Sequence, residues 1–357
     1  MSTAETPTQH AVLADHTTLR LGGPARRYVE ATTAQALVDA VREADDAGEP
    51  VLLLGGGSNL VVADEGFAGT LLKVGNTGWT RDAGLVEVAA GHNWDAFVEG
   101  LVAEGVGGLE CLSGIPGSVG ATPIQNVGAY GCEVAETLVS VDLYDRAARE
   151  IRTLTAEELG FGYRTSILKG TDAGVVLTVR FNVTEDGLSA PVRYAELART
   201  LGVEIGDRVP VAEAREAVLG LRRGKGMVLD ADDHDTWSAG SFFTNPIIEE
   251  AQVAKVLAGI VSALDVVGED VRVPQYPAPG GTKLSAAWLI ERAGFAKGHE
   301  GPGGRVSLST KHTLALTNRG KASTADLLAL AREVRDGVEA RFGVSLHPEP
   351  LLINCSL

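Results

Sequence analysis

The chain has 357 residues, about 2.4 times a typical domain length, so two or three packed domains are expected and a single small module is excluded. With 45% hydrophobic and 22% charged residues it can bury several cores, which excludes disorder over most of its length. The 31 Lys and Arg against 47 Asp and Glu leave a net charge of −16, a field that repels nucleic acid and anionic membrane, so any anionic ligand needs a local cationic pocket. No apolar run approaches the roughly 18 residues of a membrane span. Met1–Asp15 is polar, with neither a basic start nor an apolar stretch, so a cytoplasmic protein without membrane insertion is expected. Cys111, Cys132 and Cys355 form no CxxC pair and read as core thiols of a reducing compartment.

In chain order, residues 1–80 alternate strand and helix. Thr32 as N-cap, Ala34, Leu37, Val38, Val41 and Ala44 at helical spacing, and Gly48 as stop predict an amphipathic helix. Val51–Leu54 is a continuous apolar run that predicts a strand buried on both faces. It leads into Gly55-Gly56-Gly57-Ser58-Asn59-Leu60, a glycine loop at a strand end, where ligands usually sit. Asn93 caps a second predicted helix, with Trp94, Phe97, Val98, Leu101 and Val102 on one stripe and Gly105 as stop. Val175–Val183 predicts strand and Val211–Leu221 helix, and the turn Leu221–Gly226, rich in Gly, Lys and Arg, marks a boundary. Beyond it the sequence predicts a helix from about Ile248 to Leu264, a Pro- and Gly-rich loop from Gly268 to Gly281, and a short helix around Trp288 ending near Gly294. A last helix opens on the capping pair Ser323 and Asp326, carries Leu327, Leu330, Val334 and Val338, and stops at Gly343. There is no internal repeat and no low-complexity tract.

The Gly55–Asn59 loop leaves backbone amides uncovered, so a pyrophosphate can approach them, although a tight strand-to-loop turn has the same sequence. Ser113-Gly114-Ile115-Pro116-Gly117-Ser118-Val119-Gly120-Ala121 repeats the property and continues into Gln125–Gly131; two such loops favour a long dinucleotide. No GxxxxGK[ST] occurs and Leu60 stands where the last glycine of GxGxxG belongs, which disfavours Walker and Rossmann sites. The histidines show no zinc spacing, so no metal is expected, and no serine lies in GxSxG. Three polar spots remain. Arg164, in Phe161–Ser166, is placed to clamp a carboxylate or to form a structural ion pair on a strand end. Ser241, between Gly240 and two phenylalanines, suits a proton donor in a dry place or a turn serine capping a following helix. Glu349, between two prolines in His347-Pro348-Glu349-Pro350, is a restrained carboxylate or a solvated tail acid.

Taken in order along nearly the whole chain, these segments resemble the UDP-N-acetylenolpyruvoylglucosamine reductase family. The resemblance begins at Thr18–Ala25 and passes through Leu54–Asn59, Ile115–Ala121 and Pro123–Asn126. It continues with Tyr163–Ser166, Gly240–Phe243, Asn245-Pro246 and Pro348–Pro350. It implies an α+β chain with an FAD-binding fold of the vanillyl-alcohol-oxidase (PCMH) type. Residues 1–80, with 344–357 returning to them, and 81–218 would be two FAD-binding subdomains, and 219–343 a C-terminal α+β substrate-binding domain. It also implies bound FAD, NADPH as co-substrate and a UDP-sugar substrate, with no obligatory protein partner. In the implied reaction NADPH reduces FAD, hydride passes from N5 to C3 of the enolpyruvyl group, and C2 takes a proton.

The resemblance carries over residue by residue. Arg164 matches the family's arginine at the enolpyruvyl carboxylate, Ser241 its proton donor and Glu349 its acid. The cofactor-binding positions are Gly55, Gly56, Gly57, Ser58, Asn59, Leu60, Ile115, Pro116, Gly117, Ser118, Gly120, Ala121 and Arg222. Lys225, Asn245 and Tyr194 fall to the diphosphate, and Tyr276 and Lys297 to the nucleotide; Pro191–Leu197 resembles the subtype with an extra tyrosine-bearing loop. The chain departs from the family at Leu351, where an arginine is frequent, at His347, where an acid is, and at His312, where some members have glutamine. A flavin-dependent oxidase or dehydrogenase acting on a sugar or lactone, and a catalytically inactive nucleotide-binding regulator, are the competing readings.

Overall fold

A threonine in extended backbone opens the first helix of the computed structural model, which describes residues 11–264 and 271–357. That residue is Thr33, one position later than predicted: its hydroxyl accepts the Ala36 N–H at 3.1 Å, and Gly48 at φ 62° closes α1 (Ala34–Ala47). Asn93 caps α2 (Trp94–Ala103) by accepting the Ala96 N–H at 2.9 Å. Next come α3 (Ala195–Leu201) and α4 (Val211–Gly224). The predicted turn at Leu221–Gly226 therefore begins only at Lys225, the C-cap, because Leu221–Gly224 continue the helix. Of the second predicted segment, Ile247–Glu249 is strand and α5 (Glu250–Leu264) starts after it. Ser285 opens α6 (Ala286–Ala293) and Gly294 ends it. Ser323 and Asp326 form the expected capping box of α7 (Thr324–Phe342), closed by Gly343.

The described residues divide into two units. The first comprises the chain up to Val12, Pro24–Ser58 and Gly66–Leu229. It contains a four-stranded sheet in the order Ala11–Val12, Pro24–Ala31, Phe67–Val74, Val51–Leu54, parallel except for its first pair. Val51–Leu54 is an edge strand with only Leu54 fully buried, so the expectation of burial on both faces fails. A five-stranded antiparallel sheet follows, in the order Glu150–Thr155, Leu138–Asp145, Gly174–Asn182, Leu85–Ala89, Trp79–Asp82. The core takes Leu37 and Val41 from α1, Leu72, Val86, Val88 and Val179 from the sheets, and Trp94, Phe97 and Phe181. Those three rings lie 5.9–6.0 Å apart, contacts worth about 0.5–1.5 kcal/mol each beyond their burial. Cys111 and Cys132 lie buried in this unit, as core thiols should.

The second unit comprises Leu13–Gly23, Asn59–Glu65 and Asp230–Leu357. Its core is built on α7, through Leu327, Leu330, Ala331, Val334 and Val338, with Leu289 and Ile290 of α6. Three small sheets surround it, one of them the parallel pair Leu351–Ile353 with Leu60–Val62. The predicted Gly268–Gly281 loop is largely a hairpin: Gln275–Ala278 pairs with Gly281–Leu284, while residues 268–270 lie outside the described set. Pro277 is tolerated because its strand is at the sheet edge, where a missing N–H costs no ladder bond. Cys355 is half-buried and packs at the margin of this core. Among the described residues no helix is long and apolar enough to cross a membrane.

Candidate active site

The two glycine segments meet inside the first unit. A Cβ on Gly56 would lie 2.5 Å from the Gly117 Cα, and one on Gly55 2.5 Å from the Ser118 Oγ, so the loops touch backbone to backbone. Ser58 Oγ donates to the Pro116 carbonyl at 2.9 Å. Gly117 adopts φ 134°, its carbonyl accepts the Trp94 N–H at 3.1 Å, and Ser118 bridges Asn93, so the N-terminus of α2 fixes the second loop. Gly120 packs on Ala90, whose Cβ a side chain would meet at 2.5 Å. Pro116, Gly117, Ser118 and Ala121 thus stand against Gly55, Gly56 and Ser58. The next two residues are counted with the second unit, where the Asn59 carbonyl accepts the Leu351 N–H at 3.0 Å and Leu60 pairs with Leu351.

Three groups that sequence reasoning missed support this cradle. Lys73 donates its ammonium to the Gly55 carbonyl, and burial lowers its pKa against the opposing effect of Glu30. Asp95, in the first turn of α2, accepts the Gly114 N–H at 2.6 Å. Arg215 of α4, only 6% exposed, makes a bidentate pair with Asp95 at 2.6 and 3.1 Å. Burial alone would raise the Asp95 carboxyl, but Arg215, the Gly114 N–H and Arg222 outweigh it and hold it below the usual carboxylate range. Their signals were an acid at the start of a helix and an arginine seven positions before Arg222, two turns back on the same face. Arg222 Nη2 donates to Met227 O at 2.7 Å and Gly114 O at 3.2 Å, while its Nε–H is buried with no partner. Burial lowers the Arg222 pKa, Tyr130 and Asp95 acting the other way. Uncovered loop amides beside a buried, unsatisfied guanidinium N–H form a donor set suited to the diphosphate of a dinucleotide such as FAD.

Arg164 sits at the tip of a turn closed by Gly162 and Thr165, whose N–H groups donate to each other's carbonyls at 3.0 and 3.3 Å. Its φ of 54° is the left-handed region that a non-glycine residue occupies at a cost. One guanidinium N–H donates to Gly128 O at 2.7 Å, Glu133 lies 4.0 Å away, and the group is 5.2 Å from the Tyr163 ring centroid. It is therefore a turn residue and not one at a strand end. Tyr194, Lys225 and Tyr130 form a cluster in the same unit. The two tyrosine rings meet edge to face at 5.5 Å, the Lys225 ammonium is 5.7 Å from the Tyr130 centroid, and it pairs with Glu196 at 2.6 Å. Burial pushes the Tyr130 phenol up to about 12, with Arg222 opposing.

In the second unit Ser241 and Glu349 lie on adjacent segments. The Glu349 N–H donates to Phe242 O at 2.8 Å, Phe243 bridges Pro348, and the Thr244 N–H donates to His347 O at 3.0 Å. Phe242 and Phe243 are buried while Ser241 and Glu349 are half-buried, so the rings enter the core and leave the polar residues at its edge. No helix follows Ser241 for it to cap, and Glu349 is held beside Phe242 instead of lying in a solvated tail. Asn245 Oδ1 accepts the Ala286 N–H at 2.9 Å, at the start of α6. Tyr276 is 46% exposed on its edge strand and Lys297 is exposed after α6; among the described residues no contact ties either to Asn245 or Ser241.

Residues 25–154 match the family described as FAD binding domain, and residues 232–353 the family described as UDP-N-acetylenolpyruvoylglucosamine reductase, C-terminal domain. The UDP-N-acetylenolpyruvoylglucosamine reductase of Saccharopolyspora erythraea is 66% identical over 357 residues, covering 98% of this chain and 97% of its own. That of Nocardia farcinica is 59% identical, over 97% of this chain and 89% of its own. The crystal structure of UDP-N-acetylenolpyruvylglucosamine reductase from Thermus caldophilus superposes with a TM-score of 0.66 at 26% identity, covering 96% of this chain and 98% of that one. The expected α+β FAD-binding fold with a C-terminal domain is the fold of this protein. With two thirds of its residues identical to one of these reductases along almost its entire length, the chain belongs to the UDP-N-acetylenolpyruvoylglucosamine reductase family.

Proposed function

We propose that this protein uses NADPH, through bound FAD, to reduce the enolpyruvyl group of UDP-N-acetylglucosamine enolpyruvate to UDP-N-acetylmuramate, a step of peptidoglycan precursor synthesis in the cytoplasm. The observation that carries the reading is the backbone-to-backbone cradle of Gly55–Ser58 and Gly114–Ser118, in a chain 66% identical to a reductase of that name. Residues 1–80 with 344–357, and 81–218, are read as the flavin-holding parts, and 219–343 as the substrate part.

FAD, held by the glycine cradle and Arg222, would supply hydride to C3 of the enolpyruvyl group after reduction by NADPH. Addition at C3 drives negative charge from C2 onto the substrate carboxylate, and a fixed cation there lowers the barrier. Arg164 has that role: a guanidinium carries five donors, and its bond to Gly128 fixes the plane in which the others are presented. Ser241 donates the proton that C2 takes, its position set by the bridge of the Phe242-Phe243 segment to Pro348. Glu349, on the paired segment, lies near the substrate carboxylate and acts in protonated form or bridged by a cation. Lys225 and Tyr194, with Asn245, hold the diphosphate, and Tyr276 and Lys297 contribute to the nucleotide. Lys225 supplies the local positive charge that a net charge of −16 demands.

The test is anaerobic stopped-flow absorbance of the yellow protein, reduced with NADPH and then mixed with UDP-N-acetylglucosamine enolpyruvate. Recovery of the oxidised flavin spectrum only with this substrate is expected, and Ser241→Ala slows it by about 10²–10⁴-fold. Recovery only with oxygen assigns an oxidase, flavin that never recovers with substrate assigns a nucleotide-binding regulator, and a colourless protein removes the flavin altogether.

A further inference from the structure

The Gly114–Ser118 loop cannot hold its own shape. Gly114 and Gly117 are both in the left-handed region, at φ 71° and 134°, and glycine loses the most conformational freedom when fixed. The downstream end is secured by the backbone of α2, through Trp94 N–H to Gly117 O and the Asn93–Ser118 bridge. The upstream end is secured by side chains alone. Asp95 Oδ1 accepts both the Gly114 N–H, at 2.6 Å, and Arg215 Nη1, at 2.6 Å, while Arg215 Nη2 takes Oδ2 at 3.1 Å. From the other side α4 closes over Gly114 with Leu219 and with Arg222, which donates to the Gly114 carbonyl at 3.2 Å. Both peptide groups of this glycine are therefore clamped by one helix, directly by Arg222 and through Asp95 by Arg215. A buried ion pair is weak evidence for stability, because apolar residues of similar volume often do as well; what it supplies is geometry. The only buried side-chain nitrogen left without a partner among the described residues is the Nε of Arg222, in the same clamp.

We propose that Asp95 and Arg215 are positioning residues for flavin binding, fixing Gly114 so that the loop amides and the Arg222 Nε–H are aimed at the FAD diphosphate. This rests on the flavin reading above. Neither residue touches the ligand: Arg215 acts through Asp95, and Asp95 through the Gly114 amide. The pair differs in this from Arg222, whose own N–H is the contact.

The experiment titrates FAD into the flavin-free full-length chain, read by flavin fluorescence, and records the melting temperature of the same flavin-free samples. Asp95→Leu with Arg215→Met together removes the clamp without orphaning a charge. Its FAD dissociation constant rises by about tenfold or more while its melting temperature stays near that of the unaltered chain. Wild-type FAD affinity in this double variant overturns the proposal, since the pair would then be structural only. Should the double variant not fold, Arg215→Lys keeps the charge but loses the bidentate fork; it weakens FAD binding about threefold or more without lowering the melting temperature, and unchanged affinity overturns the proposal as well. In an Arg222→Met background the Arg215→Lys effect shrinks, because both act on one contact, and full additivity counts against the clamp. If the unaltered chain binds no FAD, the flavin reading fails first and visibly, and the proposal falls with it.

Discussion

In the first unit the glycine cradle proposed for the flavin is largely backbone, whereas the candidate groups of the second, Ser241 and Glu349, are side chains hung on a short bridge. Gly55, Gly56 and Gly120 have no room for a Cβ, and what surrounds them is other main chain or small side chains. Ser241 and Glu349 occupy half-buried positions defined by the Glu349 N–H to Phe242 O bond and the Phe243–Pro348 bridge, with Phe242 and Phe243 as anchors in the core. A backbone cradle binds whatever presents the right anion and tolerates no added atom. A side-chain site tolerates substitution structurally and loses chemistry. The difference predicts that mutations in the glycine cradle and mutations of side chains that act on substrate separate flavin retention from turnover.

The largest effect belongs to Gly56→Ala. Its methyl would stand 2.5 Å from the Gly117 Cα, and neither partner is a flexible side chain that can yield. Overpacking of this kind costs about 1–3 kcal/mol and here also separates the loops, so the variant purifies colourless with a lowered melting temperature. Gly220→Ala is the control: that glycine lies in α4 with nothing within 4 Å of an added Cβ, and the substitution stabilises by up to about 1 kcal/mol with full colour. Equal loss of flavin in both would break the backbone argument. Next in size is Arg164→Met, which loses about 10²–10³ in kcat as a missing charge-stabilising donor does. Reduction of the flavin by NADPH should be untouched and reoxidation by substrate slowed. If both half-reactions slow together, Arg164 serves only to hold the Gly128 turn.

The elements that fold by local rules were legible. The Asn93 cap, the Ser323/Asp326 box and the stops at Gly48, Gly294 and Gly343 each follow from one residue and its neighbours three or four positions away. The boundaries that moved are set by partners distant in sequence. Ile247–Glu249 becomes strand because Gly281–Lys283 pairs with it, and Val51–Leu54 is an edge strand because only Phe67–Val74 flanks it. The glycine loops were legible as a motif, but Asp95, Arg215 and Lys73 were not, since Lys73 and Asp95 act on backbone, and Arg215 on Asp95, through contacts between residues far apart in sequence.

A smaller effect is expected at Lys225. Lys225→Met removes a charge-assisted contact to a diphosphate, about 1.5–3 kcal/mol, so the KM for the UDP-sugar rises about tenfold to a hundredfold while flavin stays bound. Steady-state kinetics with an absorbance scan decide it, and colour loss would place Lys225 with the flavin.

Acidification is the mildest perturbation and sets the two units against each other. Asp95 in the first is held below the usual carboxylate range as described, and Asp326 in the second is held low by the Arg305 guanidinium, with burial opposing and the Ser323 capping contacts assisting. A carboxyl whose folded pKa is depressed contributes stability that is fully present above its unfolded value, about 3.9, and is lost as pH falls through the folded one. Flavin retention should therefore be flat from about pH 8 to pH 5 and fall only below about pH 4. In Asp95→Asn the affinity is already reduced and its acid limb flattens, because the titrating group is gone. Asp326→Asn shifts the acid loss of helical circular dichroism and leaves the flavin limb in place. If the two substitutions move flavin release equally, release reports unfolding of the whole chain, and the separation of a backbone cradle from a side-chain site does not hold.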